Sequence, residues 1–282
     1  MTSSKTRWLG VLGWPVEHSR SPAIHTAALE ALGIDAVYLA HAVPPEKLPE
    51  AIAGLRALGA LGANLTLPHK ERALGLLDAV EPAAQAIGAV NTIVCDGERL
   101  IGTNTDGEGL ARALAEEGIA LNGARVLIVG AGGAARASAY GLAQAGAASV
   151  AIAGRRPERA QAVVRDLSRA MATPMRALSL ADLREEAERT DLLVQATSAT
   201  LGDGDDAKAF AAALPLASLP EHASVVDLVY APRRTAVLRA AEARGLRTID
   251  GLGMLVWQAA LAFERWLGVA PPIDVMRRAA EG

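Results

Sequence analysis

Two rhythms of apolar residues alternate along the chain. Short runs at 7–12, 37–43, from 62, 88–94, 126–129, 149–153, 191–196, 224–228 and 248–250 have the length and composition of strands. Longer segments between them suit helices: 22–32, opened by Pro22; 46–58; one from about 108; an alanine-rich one to about 145; and a strongly apolar one from Gly251 to about Trp266. Asp96-Gly97 predicts a hairpin between 88–94 and the run from Leu100. The stretch 201–220 mixes Asp, Gly, Ala and Pro and predicts a loop with a short helix. No long internal repeat is visible. Strands that alternate with helices predict an α/β fold.

The stretch 125–156 organises the rest. Val126-Leu127-Ile128-Val129 reads as a buried parallel strand, and Gly130-Ala131-Gly132-Gly133-Ala134-Ala135 follows as a G-x-G-x-x-A turn. The alanine-rich helix comes next, Gly146 ends it, and 149–153 is a second strand. This order is the context of a dinucleotide site: glycines let the backbone approach a pyrophosphate, and the helix N-terminus offers free N–H groups. The plainer alternative is an ordinary glycine-rich strand–helix turn. An NAD site places a carboxylate at the end of the second strand. Here the strand runs into Gly154-Arg155-Arg156, with Arg159 one turn on. Guanidinium forks suit a 2′-phosphate, so the expected cofactor is NADP(H). A solvated arginine pair at a helix start is the alternative, and the macrodipole opposes it.

Composition narrows the partners. At 282 residues the chain suits two domains, and a net charge of −3 with pI near 6.0 gives no basic field for nucleic acid. A small molecule is the expected partner. Cys95 is the only cysteine, so no internal disulfide forms and a cytoplasmic setting is expected. Neither a secretory leader nor a membrane span is read. Five scattered histidines show no metal spacing.

Four strand ends within the first 110 residues carry polar groups: Ser19 and Ser21, Thr66 and Lys70, Asn91, and Thr105 with Asp106. Ligands bind at such ends in α/β sheets. Three of these residues, and Gln258 further on, have a plain alternative. Ser21 suits an N-cap, Lys70 a surface residue in a first helical turn, Asp106 the cap of the helix from Glu108, and Gln258 a helix-surface amide. The chain has only four lysines, and one at a strand end hints at a titratable ammonium. Together the four ends suggest a polyhydroxylated, anionic ligand.

The blocks GWPVEHSRSPAIH (13–25), GANLTLPHK (62–70), GAVNT (88–92), GTNTDGEG (102–109), GAGGAARA (130–137), ATS (196–198), VYAP (229–232) and DGLGMLVWQAALAFERW (250–266) resemble the shikimate/quinate dehydrogenase family, in the family's order and over nearly the whole chain. The resemblance implies an N-terminal α/β substrate domain, a Rossmann-like NADP-binding domain, and C-terminal helices that return to the first domain. The expected bounds are 1–106 with 251–282, and 107–250. It also implies NADPH-dependent reduction of 3-dehydroshikimate to shikimate. By resemblance Lys70 and Asp106 carry the proton chemistry. Ser19 and Ser21 bind the substrate carboxylate, with Tyr230 near it, and Thr66, Asn91 and Gln258 bind hydroxyls. Gly130, Ala131, Gly132, Gly133, Ala134, Arg155, Arg156, Arg159, Thr197 and Gly253 are the expected cofactor residues. The chain departs from the family where Thr26 replaces a frequent Asn, and where Gly154-Arg155-Arg156 replaces a common Asn-Arg-Thr. Relatives that use quinate with NAD tend to carry Thr at the position of Ser21 and an acid in the clamp. A relative with another ring substrate, and a catalytically silent NADP-binding sensor, stay open as alternatives. So does the choice between monomer and homodimer.

Overall fold

A computed structural model describes residues 2–179 and 181–282. The chain forms two compact units, Met1–Thr105 with Val256–Gly282, and Asp106–Leu255.

The first unit contains β1 (Arg7–Gly13), α1 (Ser21–Ala31), β2 (Ala36–Ala42), α2 (Leu48–Ala57), β3 (Gly62–Leu65), β4 (Ala79–Val80), α3 (Pro82–Ile87), β5 (Thr92–Asp96) and β6 (Arg99–Thr103). Its sheet runs β2-β1-β3-β5-β6-β4. β1 pairs in parallel with β2 and β3, whereas β5 lies antiparallel to β3 and β6. Leu48, Ile52 and Leu55, spaced along one face of α2, pack with Leu12, Leu65 and Ile93 in the core.

The second unit comprises α4 (Asp106–Glu116), β7 (Arg125–Val129), α5 (Gly133–Gln144), β8 (Ser149–Ala153), α6 (Pro157–Leu167), β9 (Met175–Leu178), α7 (Leu183–Ala187), β10 (Leu192–Gln195), α8 (Asp205–Ala213), β11 (Ser224–Asp227), α9 (Ala236–Glu242) and β12 (Arg247–Ile249). All six strands are parallel, in the order β12-β11-β10-β7-β8-β9. That is the doubly wound dinucleotide-binding order, with its switch point between β7 and β10. Helices α4 and α5 meet at glycine, since a Cβ on Gly141 would lie 2.2 Å from the carbonyl oxygen of Gly107.

The chain leaves the second unit within α10 (Leu252–Leu267) and ends in α11 (Ile273–Glu281). α11 packs on α1, where Arg20 donates to the carbonyl of Ala280. Trp266 of α10 donates its indole N–H to the carbonyl of Ile93 at 2.9 Å.

Several expectations shift. The strand expected at 88–94 begins only at Thr92, because Gly88 turns into the left-handed region (φ 73°) to close α3, a helix the pattern did not predict. Ser21 is not an N-cap: Arg20 holds that position without a side-chain cap, and Ser21 is the first helical residue. Likewise α4 begins at Asp106 itself. The stretch 201–220, expected as a loop with a short helix, does contain a helix, the nine-residue α8.

Candidate active site

In the second unit the site starts at the end of β7. Gly130 takes φ +134° and donates its N–H to Ala153 at 2.7 Å. A Cβ there would stand 2.8 Å from the carbonyl oxygen of Ala196, so only glycine fits this turn without a shift. Gly132 caps α5, whose N-terminus therefore follows directly on the glycine turn. The turn opens on a cavity of about 630 Å³. Gly130, Ala131 and Gly132 form one wall, Arg155, Arg156 and Arg159 another, and Thr197, Ser198 and Ala199 a third.

The three arginines are exposed and sit where β8 gives way to α6, with Arg156 as the helix cap. The turn from Gly154 to Arg156 holds no carboxylate. A dinucleotide phosphate fits this wall, since the backbone of the glycine turn and three guanidinium groups border the same space. Gly133 and Ala134 belong to the first turn of α5 and do not line the cavity. Nor does Gly253, which stands in the first turn of α10 with Ala113 against it. Sequence reasoning missed the apolar side of the cavity, made by Leu183, Phe210 and Leu214, and the Asp206 carboxylate on α8.

Tyr230 follows β11 in this unit and is half-buried. Just before it, Asp227 ends β11 with no exposure and gathers donors from Gln195, Thr200, Thr235 and the amide of Val229. This residue was also missed. An acid at the end of a buried apolar run was the available signal.

In the first unit, Asn91, Thr105 and Gln258 come together. The Asn91 amide donates to the Thr105 hydroxyl at 2.9 Å and reaches the Gln258 side-chain oxygen at 3.5 Å. Its oxygen accepts the Thr105 N–H at 2.8 Å and the Thr92 hydroxyl at 3.0 Å. Thr105 in turn donates to the Gln258 carbonyl at 3.0 Å. Behind this cluster Asn64 donates to the Asn91 carbonyl at 3.2 Å and to Thr92 at 3.1 Å, and it accepts from the Tyr38 hydroxyl at 2.6 Å. Burial pushes the Tyr38 hydroxyl well above its ordinary pKa.

Ser19 and Ser21 lie on the short path from β1 into α1, where the Ser19 hydroxyl accepts the Ser21 N–H at 3.3 Å. Thr66 follows β3; its N–H bonds to Leu12 at 3.0 Å and its carbonyl accepts from His69 at 2.9 Å. Lys70 is half-buried in the next turn, pinned through its carbonyl to the Val90 N–H at 2.8 Å. Asp106 is buried at the start of α4, directly after the anchored Thr105. Among the described residues no cluster of His, Cys, Asp or Glu is suited to a metal, and no helix is long and apolar enough to cross a membrane.

A doubly wound parallel sheet with a glycine turn and an arginine-lined cavity, in one chain with an α/β unit bearing clustered amides and hydroxyls, defines the class of dinucleotide-linked oxidoreductases with a separate substrate unit. The family profiles agree in order. The shikimate dehydrogenase substrate binding domain matches 11–93, shikimate / quinate 5-dehydrogenase matches 110–232, and the shikimate 5′-dehydrogenase C-terminal domain matches 251–281. The shikimate dehydrogenase (NADP(+)) of Symbiobacterium thermophilum is 48% identical over 282 residues, 97% of this chain and 93% of that one. The shikimate 5-dehydrogenase of Thermus thermophilus, solved with NADP(H) and shikimate, superposes with a TM-score of 0.85 at 43% identity over 98% of both chains. That of Listeria monocytogenes, solved with shikimate and NAD, gives 0.90 at 34% identity over 98% of this chain and 97% of that one. The chain belongs to the shikimate dehydrogenase family.

Proposed function

We propose that this chain catalyses the reversible NADPH-dependent reduction of 3-dehydroshikimate to shikimate, a step toward chorismate and the aromatic amino acids, in the cytoplasm and as a monomer or homodimer. The first unit binds the substrate and the second the nucleotide. The observation that carries the reading is the arginine wall: Arg155, Arg156 and Arg159 border the glycine-turn cavity, with no carboxylate in the turn where a ribose 2′-hydroxyl would need one. That charge favours a 2′-phosphate.

When bound, the reduced nicotinamide supplies a hydride to the ring ketone. The chain's own residues handle the rest. Lys70 donates a proton to the oxygen as negative charge develops, and Asp106 holds and polarises its ammonium. In the oxidative direction Lys70 takes up the hydroxyl proton. Ser19 and Ser21 hold the ring carboxylate with Tyr230 beside it, and Thr66, Asn91 and Gln258 take the hydroxyls. The internal bonds of Asn91 and Thr105 fix the cluster before substrate arrives, which spares ordering entropy at binding.

The test is reduced-nicotinamide absorbance with purified protein, shikimate and NADP, repeated with NAD and with quinate. Turnover is expected with shikimate and NADP. Preference for quinate or for NAD would overturn the specificity assigned here. Absence of turnover with every pair, in protein that binds NADP, would overturn the enzymatic reading in favour of a sensor.

A further inference from the structure

We propose that Asp227 is a positioning residue that sets two parts of the second unit at once: the 197–199 wall of the nucleotide cavity, and the Val229–Tyr230 segment that follows β11. The assignment rests on the function proposed above for the roles of Thr197 and Tyr230.

Asp227 ends β11 opposite Gln195, which ends β10, and neither is exposed. Four donors converge on its carboxylate: Gln195 Nε2 at 3.1 Å, Thr200 Oγ1 at 2.9 Å, the Val229 N–H at 3.0 Å and Thr235 Oγ1 at 2.7 Å. Gln195 relays this hold into the cavity wall. Its oxygen accepts the Thr197 N–H, and its amide donates to the Thr197 carbonyl at 3.1 Å and to Thr200 at 2.8 Å. Thr197 then accepts the Ala199 N–H at 3.1 Å. The wall is thus braced from behind by one carboxylate, acting directly on Thr200 and through Gln195 on Thr197. The Val229 bond fixes the chain one residue before Tyr230. The Thr235 bond leads elsewhere, since that hydroxyl caps α9 by accepting the Leu238 N–H at 3.2 Å.

A charge is an expensive way to fill a core, and burial pushes the Asp227 carboxyl above its ordinary range while the four donors oppose the shift. Only an ionised carboxylate offers acceptor sites to all four donors; an asparagine replaces one oxygen with a donor. Its place behind two functional loops accounts for a group that packing alone does not need.

The experiment measures Kd for NADP and for shikimate by calorimetry, together with Tm, on the full chain carrying Asp227→Asn, Thr200→Val or Thr235→Val. Asp227→Asn is expected to weaken both ligands by about tenfold, the loss of one to two buried charge-assisted hydrogen bonds. Thr200→Val is expected to weaken NADP alone, and Thr235→Val to lower Tm with both Kd values unchanged. Wild-type binding of both ligands by Asp227→Asn would overturn the proposal. Equal weakening of both ligands by Thr200→Val and Thr235→Val would do the same, because it would mean general loosening. If Asp227→Asn does not fold, the contrast between the two threonine variants decides. Wild-type protein that binds both ligands without turnover would refute the reaction and leave this bracing intact.

Discussion

His25 should make the first unit acid-sensitive by a calculable amount. It lies on α1 with no exposure, its ring stacked on Tyr38 at 4.3 Å and flanked by Phe263 and Trp266. Neither ring nitrogen has a hydrogen-bond partner. Burial lowers its pKa from 6.5 to about 3. The unfolded chain takes up a proton below pH 6.5, whereas the folded chain refuses it until about pH 3. Stability from this group is therefore complete above pH 6.5 and is lost as pH falls toward 3. Linkage between those two pKa values gives a loss of about 2 kcal/mol from pH 7 to pH 5. His25→Phe keeps a ring for the stack and removes the titration. All four tryptophans, at 8, 14, 257 and 266, lie in the first unit, so urea unfolding followed by tryptophan fluorescence reports on that unit alone. The drop in unfolding free energy from pH 7 to pH 5 should be smaller in the variant by about 2 kcal/mol. His69 and every other titrating group are common to both proteins and cancel. Equal pH dependence in the two would refute the reasoning.

Lys70→Ala should lower kcat by about a hundredfold or more, the usual worth of a general acid, with KM for shikimate little changed; an unchanged kcat would remove Lys70 from the chemistry. Arg155→Ala with Arg156→Ala should raise KM for NADP by about tenfold or more while leaving that for NAD nearly unaltered, as initial rates with each nucleotide will show. Asp191 is held well below the ordinary carboxylate range, chiefly by the Arg125 guanidinium at 2.8 Å and also by the Arg125 N–H and His222. Its stabilisation is present above the unfolded carboxylate pKa and fades as pH falls, so the Tm gap between wild type and Asp191→Asn should close on acidification from pH 7. A gap that widens in acid would contradict the sign.

What could be read from the chain depended on how local the signal was. The glycine turn and the arginines after β8 were legible because each is set by a few consecutive residues: a positive φ at Gly130, a helix start at Pro157. The apolar side of the same cavity was not, because Leu183, Phe210 and Leu214 arrive from α7 and from the end of α8, in stretches whose pattern predicts little. Gln258 looked like any surface amide on an apolar helix. Its side-chain oxygen is 3.5 Å from the Asn91 amide across 167 positions of sequence, a proximity no local rhythm encodes. The Asp227 hub was illegible for a related reason, since two of its four donors, Gln195 and Thr200, reach it only once β10 and β11 pair.

The misplaced start of β5 explains how the first unit assembles its cluster. Read as a continuous strand from 88, Asn91 would sit inside the sheet as one more alternating residue. In the fold the strand begins at Thr92 and runs antiparallel, level with Asn64 on β3 and Thr103 on β6. The N-terminal end of β5 therefore lies at the same edge as the C-terminal ends of β3 and β6. Asn91 precedes the first of these, Thr66 follows the second and Thr105 the third. Parallel sheets gather ligands at the carboxyl ends of their strands because loops and helix starts converge there. A mixed sheet keeps that arrangement only where the reversed strand contributes its amino end, and Gly88, by ending α3 in a left-handed turn, sends the chain into β5 from that side. Asn91 then has partners on both neighbours: Thr105 beyond β6 bonds both ends of its side-chain amide and fixes its orientation, and Asn64 on β3 donates to its backbone carbonyl. The polar cluster is thus a consequence of strand direction, and Asn91 owes its position to the turn that precedes it.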